Sequence, residues 1–166
     1  MEPQRPAGES FREGAIDGVV FRDLERHEDA RGWLMELYRE DELPPGLRPV
    51  MAYLSETLPG ASRGPHQHLR QTDCFAFVGP GELTLYLWDA RPHSPTGGRR
   101  MKVVLDASQP RGVVVPPGVV HAYKNTGAVP AWVFNAPDAL YAGRGRSDPV
   151  DEIRYEDSPD SPFRLD

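Results

Sequence analysis

Three histidines and an aspartate are spaced along this chain so that short strands can gather them. The first segment carries Gly60, His66, His68 and Asp73, and the second carries Pro116, Gly118, His121 and Asn125. Residues two apart on a strand share a face, so His66 and His68 point to one side while Gln67 points to the other. Two chemistries are open to a pocket holding all three imidazoles. His66, His68, Asp73 and His121 form a ligand set for one divalent transition metal, with positions left for substrate. Alternatively, one imidazole removes a proton from a carbon beside a carbonyl, which spreads the charge as an enolate. A single histidine is more often structural than chemical, and it is the joint occurrence of the two segments that points to a working pocket. The plain reading of Asp73 is a carboxylate at a strand's rim, facing water. His27 and His93 lie among charges in segments that read as loops, and are expected at the surface.

The elements that must position these residues read as strands. Runs with strand character cover residues 18–22, 32–38, 50–55, 74–78, 82–88, 101–105, 112–115, 119–123 and 131–135, punctuated by 18 prolines and 16 glycines. Residues 82–88 alternate in polarity only loosely, as a strand covered on both faces does. Residues 23–28 and 39–43 are charge-dense and read as loops or a single helical turn, with Pro44 and Pro45 stopping any extension. Residues 1–14 read as a flexible N-terminal arm, 15–156 as one domain, and 157–166 as an acidic tail, mobile or docked on a partner subunit. Many short strands with this punctuation indicate an all-β sandwich or barrel.

Composition narrows the function. At 166 residues the chain has the length of one domain. No apolar run is long enough to cross a bilayer, the N-terminus lacks the apolar stretch of a signal peptide, and Cys74 has no second cysteine to pair with, so no membrane association and a cytoplasmic location are expected. A net charge of -6 argues against nucleic acid as a partner. A local basic pocket is still open: Arg31, Arg63, Arg70, Arg91 and Lys124 fall in or beside strands and can converge on a small anion, although each taken singly reads as a solvated surface charge.

The two histidine segments resemble the paired signature motifs of the cupin superfamily, which implies a double-stranded β-helix, the jelly roll. Over roughly residues 19–155 the chain resembles more closely the dTDP-4-dehydrorhamnose 3,5-epimerase family of cupins. Asp29-Ala30-Arg31-Gly32-Trp33-Leu34-Met35-Glu36 is similar to that family's D-x-R-G-aromatic-x-x-E opening, and Arg63-Gly64-Pro65-His66 to its R-G-x-H segment. Asp89-Ala90-Arg91-Pro92-His93-Ser94-Pro95-Thr96-Gly97 resembles its D-x-R-x-x-S-P-T-x-G turn, and Pro116-Pro117-Gly118-Val119-Val120-His121 its P-x-G-x-x-H segment.

The resemblance implies a homodimer that binds a dTDP-linked 4-keto-6-deoxyhexose and epimerises it at C3, C5 or both, with no cofactor. Arg31 and Arg63 match the positions that contact phosphate, and Glu36, His121 and Asn135 are further residues expected to bind substrate. His66 matches the general base. Three positions depart from the family. Asn135 stands where the family has the tyrosine that returns a proton from the opposite face. Cys74 stands where it usually has a lysine, and the aspartate that pairs with the base aligns only with Asp166 or its neighbours. Tyr141 matches a second family tyrosine near the pocket mouth and is the remaining candidate acid, with packing or nucleotide stacking as its alternative. His68 replaces a more usual glutamine, and His-x-His resembles the related 3,4-ketoisomerases, so ketone migration, or sugar-nucleotide binding without turnover, stand as alternative functions.

Overall fold

Seven consecutive buried residues, Leu83–Asp89, form the strand on which the molecule is organised. Leu83, Leu85 and Leu87 point inward to join Phe75, Val113, Val115 and Val133 in the main core. Tyr86 and Trp88 point outward, where a solvated face would leave two large rings in water. They are covered instead by the C-terminal tail: Phe163 lies 5.6 Å from the Trp88 ring and 4.8 Å from Tyr155. Burying a phenyl side chain in this way contributes roughly 1.5–3 kcal/mol. The Asp166 carboxylate extends the seam with ion pairs to Arg100 at 3.2 Å and Lys102 at 3.3 Å. The tail thus closes on its own chain, which corrects the expectation of a mobile or partner-docked segment.

The structure, a computed structural model, describes residues 10–166. In chain order the strands are β1 (Arg12–Glu13), β2 (Val20–Asp23), β3 (Arg26–Asp29), β4 (Gly32–Met35), β5 (Tyr53–Thr57), β6 (Ser62–Gln67), β7 (Asp73–Pro80), β8 (Leu83–Asp89), β9 (Arg99–Leu105), β10 (Arg111–Val115), β11 (Val119–Asn125), β12 (Ala131–Asn135) and β13 (Ile153–Arg154). Among the described residues they make a six-stranded sheet, β1-β9-β8-β11-β6-β13, facing a five-stranded sheet, β2-β10-β7-β12-β5, with β3 and β4 as a separate hairpin. Apart from the parallel β1–β9 pair, neighbouring strands run antiparallel. This is the jelly roll expected from the sequence.

Three described strands, β1, β3 and β13, escaped the sequence pattern, and β6 was marked only by the spacing of its histidines. β3 carries only charged or polar residues (Arg26, His27, Glu28 and Asp29), all exposed, so no apolar alternation marks it. Its pairing with β4 is supported by the Arg26 guanidinium, 5.1 Å from the centre of the Trp33 ring. β1 and β13 are two residues long, and β6 has glycine and proline in its middle. Residues 1–9 of the expected N-terminal arm lie outside the described residues, while Arg12 and Glu13 pair with Arg99 and Arg100. The turn expected at 39–43 is a single 3-10 turn, Glu40–Glu42.

Candidate active site

An open cavity of about 1230 Å³ lies between the two sheets. Arg63, His66 and Tyr123 line it from the six-stranded sheet, and Tyr53, Ser55 and Phe75 from the five-stranded sheet. The segment from Pro137 to Glu152 closes one side and brings Tyr141, Arg144 and Arg146 to it.

His66 sits at the bottom of β6, opposite His121 on β11 in the strand register. Their rings meet edge to face at 4.4 Å. Gly64 makes this approach possible: its φ is +79°, and a Cβ there would stand 2.6 Å from the His121 carbonyl oxygen and 3.0 Å from His66 Nδ1. On its other side β6 pairs with β13, with His66 opposite Arg154. That pairing delivers Glu152, whose Oε1 lies 3.7 Å from His66 Nδ1 while its Oε2 accepts from the Arg154 guanidinium at 3.0 Å. Burial, followed by the neighbouring His121, pushes His66 down to about 3, so the ring is neutral at ordinary pH. With Nδ1 facing a carboxylate, the tautomer that protonates Nδ1 leaves Nε2 as a free lone pair.

Beneath His66 runs a buried polar network whose proton positions follow from its fixed carbonyl and amide ends. His68 Nδ1 donates to the Asp151 carbonyl, so its Nε2 is an acceptor, and Gln71 Nε2 donates to it at 3.2 Å. Gln71 Nε2 also donates to Asp73 Oδ1 at 2.9 Å, beside a 2.8 Å bond from Asn135 Nδ2 to the same oxygen. Asn135 is oriented by the Cys74 backbone N–H, which donates to its Oδ1 at 3.0 Å, and its remaining Nδ2 proton goes to the Tyr53 hydroxyl oxygen at 3.0 Å. His121 Nδ1 donates to the Val119 carbonyl at 3.2 Å, which leaves Nε2 as a lone pair. Asp73 Oδ2 therefore faces two nitrogen lone pairs, His68 Nε2 and His121 Nε2, each at 3.4 Å. A carboxylate there would meet repulsion. Burial holds the Asp73 carboxyl above its ordinary range, and the neutral acid with its proton on Oδ2 resolves the conflict.

The residues singled out from the sequence divide sharply. His66, His68, Arg63 and Tyr141 line the cavity, and Arg70 joins them at its edge. Arg63 is held by bonds to Thr57 Oγ1 at 3.1 Å and the Glu56 carbonyl at 2.7 Å. Asp73, His121 and Asn135 lie behind the cavity wall, all but inaccessible. Asp73 is thus not the solvent-facing rim carboxylate of the plain reading, and His121 and Asn135 support the wall instead of touching a ligand. Arg31 and Glu36 do not reach the cavity of their own chain: Arg31 is 90% exposed in the β3–β4 turn and pairs with Asp29, and Glu36 pairs with Arg39. Arg91 is locked onto Asp89 at 2.8 Å, while Lys124 does not line the cavity. Cys74 is buried against Leu47 and Val114, its thiol pushed up by that burial. Asp166 is spent on Arg100 and Lys102, and the carboxylate beside His66 is Glu152. No periodicity could have found Glu152, because only the pairing of β13 with β6 brings it there.

The donor set also fits a divalent transition metal. Ligand atoms of His66, His68 and His121 lie within 4.8 Å of one another, Asp73 Oδ2 is 3.4 Å from two of these rings, and among the described residues His121 Nε2 is buried without a hydrogen-bond partner.

Comparison with known proteins agrees with this architecture. The model of the dTDP-4-dehydrorhamnose 3,5-epimerase family matches residues 13–144. A probable low-salt glycan biosynthesis epimerase of Haloferax volcanii, Agl13, is 36% identical over 128 residues, which is 76% of this chain and 81% of the relative. The spore coat polysaccharide biosynthesis protein SpsL of Bacillus subtilis is 33% identical over 121 residues, 72% of this chain and 78% of SpsL. Among solved structures, a dTDP sugar isomerase from Desulfovibrio desulfuricans superposes with a TM-score of 0.78 at 28% identity, covering 90% of this chain and 91% of that one. NovW, a 4-keto-6-deoxy sugar epimerase from the novobiocin gene cluster of Streptomyces spheroides, superposes with a TM-score of 0.73 at 25% identity, covering 95% and 79%. With its jelly roll, its R-G-x-H strand and a family match over most of its length, the chain belongs to the dTDP-4-dehydrorhamnose 3,5-epimerase family.

Proposed function

We propose that this protein is an isomerase that epimerises a dTDP-linked 4-keto-6-deoxyhexose at C3, C5 or both, with His66 as general base and no cofactor. The observation that carries the reading is His66 itself: a neutral imidazole on the cavity wall, backed by the Glu152 carboxylate 3.7 Å from Nδ1. Its lone pair takes the proton from the carbon beside the ketone, and the bond electrons pass to the keto oxygen as an enolate. The imidazolium so formed is stabilised by Glu152, and the anionic substrate acts in the same direction. Arg63, Arg70, Arg144 and Arg146 along the cavity suit the two phosphates. Both ring nitrogens of His68 are engaged, by Asp151 and Gln71, which makes His68 a wall-positioning residue and disfavours the two-histidine ketoisomerase reading. The relatives' roles in glycan and spore coat polysaccharide synthesis, and NovW's action on 4-keto-6-deoxy sugars, support the substrate class.

Incubation with dTDP-4-keto-6-deoxyglucose in heavy water, followed by NMR, tests the reading. Deuterium enters at C3 or C5 with inversion, and His66→Ala lowers exchange by about 10³-fold. Migration of the ketone, full exchange in His66→Ala, or binding without any exchange each overturns it. The protein acts in the cytoplasm; no described helix is long and apolar enough to cross a membrane. It works as a homodimer, a state supported by the exposed Trp33 and Leu34 on the β3–β4 hairpin and read by light scattering as twice 18.5 kDa.

The unpartnered Nε2 of His121 favours one second reading, a metal held by His66, His68, His121 and Asp73. Such an ion would polarise the keto oxygen as a Lewis acid. Elemental analysis of chelator-free protein decides it: one transition metal per chain supports the ion, and none removes it.

A further inference from the structure

Inversion at a carbon needs two proton carriers on opposite sides of the sugar ring, and His66 accounts for one. Asn135, at the position where the resemblance places a tyrosine, carries an amide that neither gives up a proton at ordinary pH nor reaches the cavity. Its cross-strand neighbour does reach it. In the β12–β5 register Asn135 stands directly opposite Tyr53, and the Tyr53 ring lines the cavity that His66 lines.

We propose that Tyr53 is the general acid of this enzyme, delivering the second proton from the wall facing His66. The inference rests on the epimerase reading above and adds a residue that the sequence did not single out. Three observations carry it. Tyr53 belongs to the five-stranded sheet and His66 to the six-stranded sheet, so the two groups approach a ligand between the sheets from opposite sides. Tyr53 accepts a hydrogen bond from Asn135 Nδ2 at 3.0 Å, and among the described residues nothing takes the phenol's own proton, which is free for a ligand in the cavity. The same Asn135 N–H remains in place to stabilise the phenolate after transfer, and Asn135 is itself fixed by Asp73 at 2.8 Å and the Cys74 amide at 3.0 Å. Burial pushes the Tyr53 phenol up to about 12, so it holds its proton at neutral pH.

Other tyrosines serve less well. Tyr123 shares the six-stranded sheet with His66, and its hydroxyl lies 3.4 Å from Ser55 Oγ. Tyr141 lies on the connecting segment between β12 and β13, outside both sheets, so no strand register sets its hydroxyl opposite His66.

The step balances. His66 breaks the C–H bond, the electrons rest on the keto oxygen, and the enolate then reforms the ketone while its carbon takes the Tyr53 hydroxyl proton on the opposite face. Imidazolium and phenolate are left, and each exchanges with water to reset.

The test follows the sugar by NMR in heavy water for the wild-type chain, for Tyr53→Phe, and for the double exchange Tyr53→Asn with Asn135→Tyr. In Tyr53→Phe, His66 still removes and returns a proton on its own face, so deuterium enters with retained configuration while inversion falls by about 10²-fold or more. The double exchange returns a phenol to the same cross-strand pair and regains inversion to within about tenfold of wild type. Inversion by Tyr53→Phe at the wild-type rate overturns the role of Tyr53 while leaving the epimerase reading intact, as does loss of inversion in Tyr141→Phe but not in Tyr53→Phe. A wild-type chain that binds the sugar nucleotide and exchanges nothing overturns the epimerase reading itself. Thermal melts of each variant separate loss of chemistry from loss of fold.

Discussion

Two aspartates, Asp73 at the start of β7 and Asp89 at the end of β8, are both almost wholly inaccessible, yet their surroundings treat them in opposite ways. Asp89 meets only donors: the Arg91 guanidinium at 2.8 Å and 3.0 Å, and the Ser94 and Thr96 hydroxyls at 2.6 Å each. Burial alone would raise its pKa, but the bonds from Arg91, Ser94 and Thr96 win and hold the carboxyl below its ordinary range. Asp73 meets neutral amides on one oxygen and imidazole lone pairs on the other, and burial raises it. One carboxyl is an ionised staple of a turn; the other is a carboxyl whose burial favours the neutral acid, behind the cavity wall. The difference shows that a motif shared with a family can be architecture, as the D-x-R-x-x-S-P-T-x-G turn is here, while Asp73, which belongs to the first histidine segment and to none of the epimerase family's own motifs, supports the site.

The largest effect should come from removing the staple's charge. Asp89→Asn places an amide N–H against the two hydroxyl donors or against Arg91, and leaves the guanidinium without its counter-charge. A loss of about 3 kcal/mol or more is expected in urea unfolding, the range seen when one partner of a buried ion pair is deleted. The fraction that remains folded should exchange substrate protons normally, because the turn does not line the cavity. A loss below about 1 kcal/mol would put Asp89 in the same class as Asp73.

Acid separates the two regions by a smaller amount. His66 and His121 are both pushed down to about 3, chiefly by burial, whereas an unfolded histidine titrates near 6.5. Below about pH 6.5 the unfolded chain takes up protons that the folded wall refuses, so stability falls as pH falls, by at most about 1.4 kcal/mol per pH unit for each ring. Asp73 opposes this, since a raised carboxyl takes up its proton in the folded state first and returns part of the loss. Asp89 is silent in this window: a depressed carboxyl contributes fully above its unfolded value and loses that contribution only as pH falls below about 4. Between pH 7 and pH 5.5 the two rings together cost about 2.5 kcal/mol, and a neutral Asp73 returns up to about 2 kcal/mol of it. The wild-type chain should therefore lose less than about 1 kcal/mol in urea melts, while His66→Ala, with one ring fewer, should hold or gain stability over the same interval. A His66→Ala chain that loses more stability than wild type between the two pH values would mean that the histidine wall is not neutral in the way its burial requires.

The sequence made this wall only partly legible. Period-two spacing placed His66 and His68 on one face, and the turn residues gave away a jelly roll, because both signals are local. The same logic missed β3, where charge on both faces hides the strand, and the tail, where two apolar groups, Phe163 and Leu165, stand among acids and prolines. Glu152 and Tyr53 were not legible at all. One reaches His66 through a two-residue strand, and the other reaches Asn135 across 82 positions of chain. Nothing in the type or spacing of either residue announces its partner, and only the closed sheets do.

The smallest effect completes the contrast and discriminates the two chemistries of the site. If Asp73 is already a neutral acid, Asp73→Asn replaces its hydroxyl with an amide N–H of nearly the same size. That N–H can face the His121 lone pair, and the remaining oxygen still accepts from Gln71 and Asn135. Stability should then change by less than about 1 kcal/mol, against about 3 kcal/mol or more for the same substitution at Asp89. Proton exchange on the sugar should persist to within several-fold, since Asn135 stays anchored beneath Tyr53. A metal held by the histidines and a charged Asp73 predicts the opposite, because loss of a carboxylate ligand removes the ion along with any activity that depends on it. Urea melts of the two Asp→Asn variants, side by side with the heavy-water assay, therefore separate a wall built around a proton from one built around a cation.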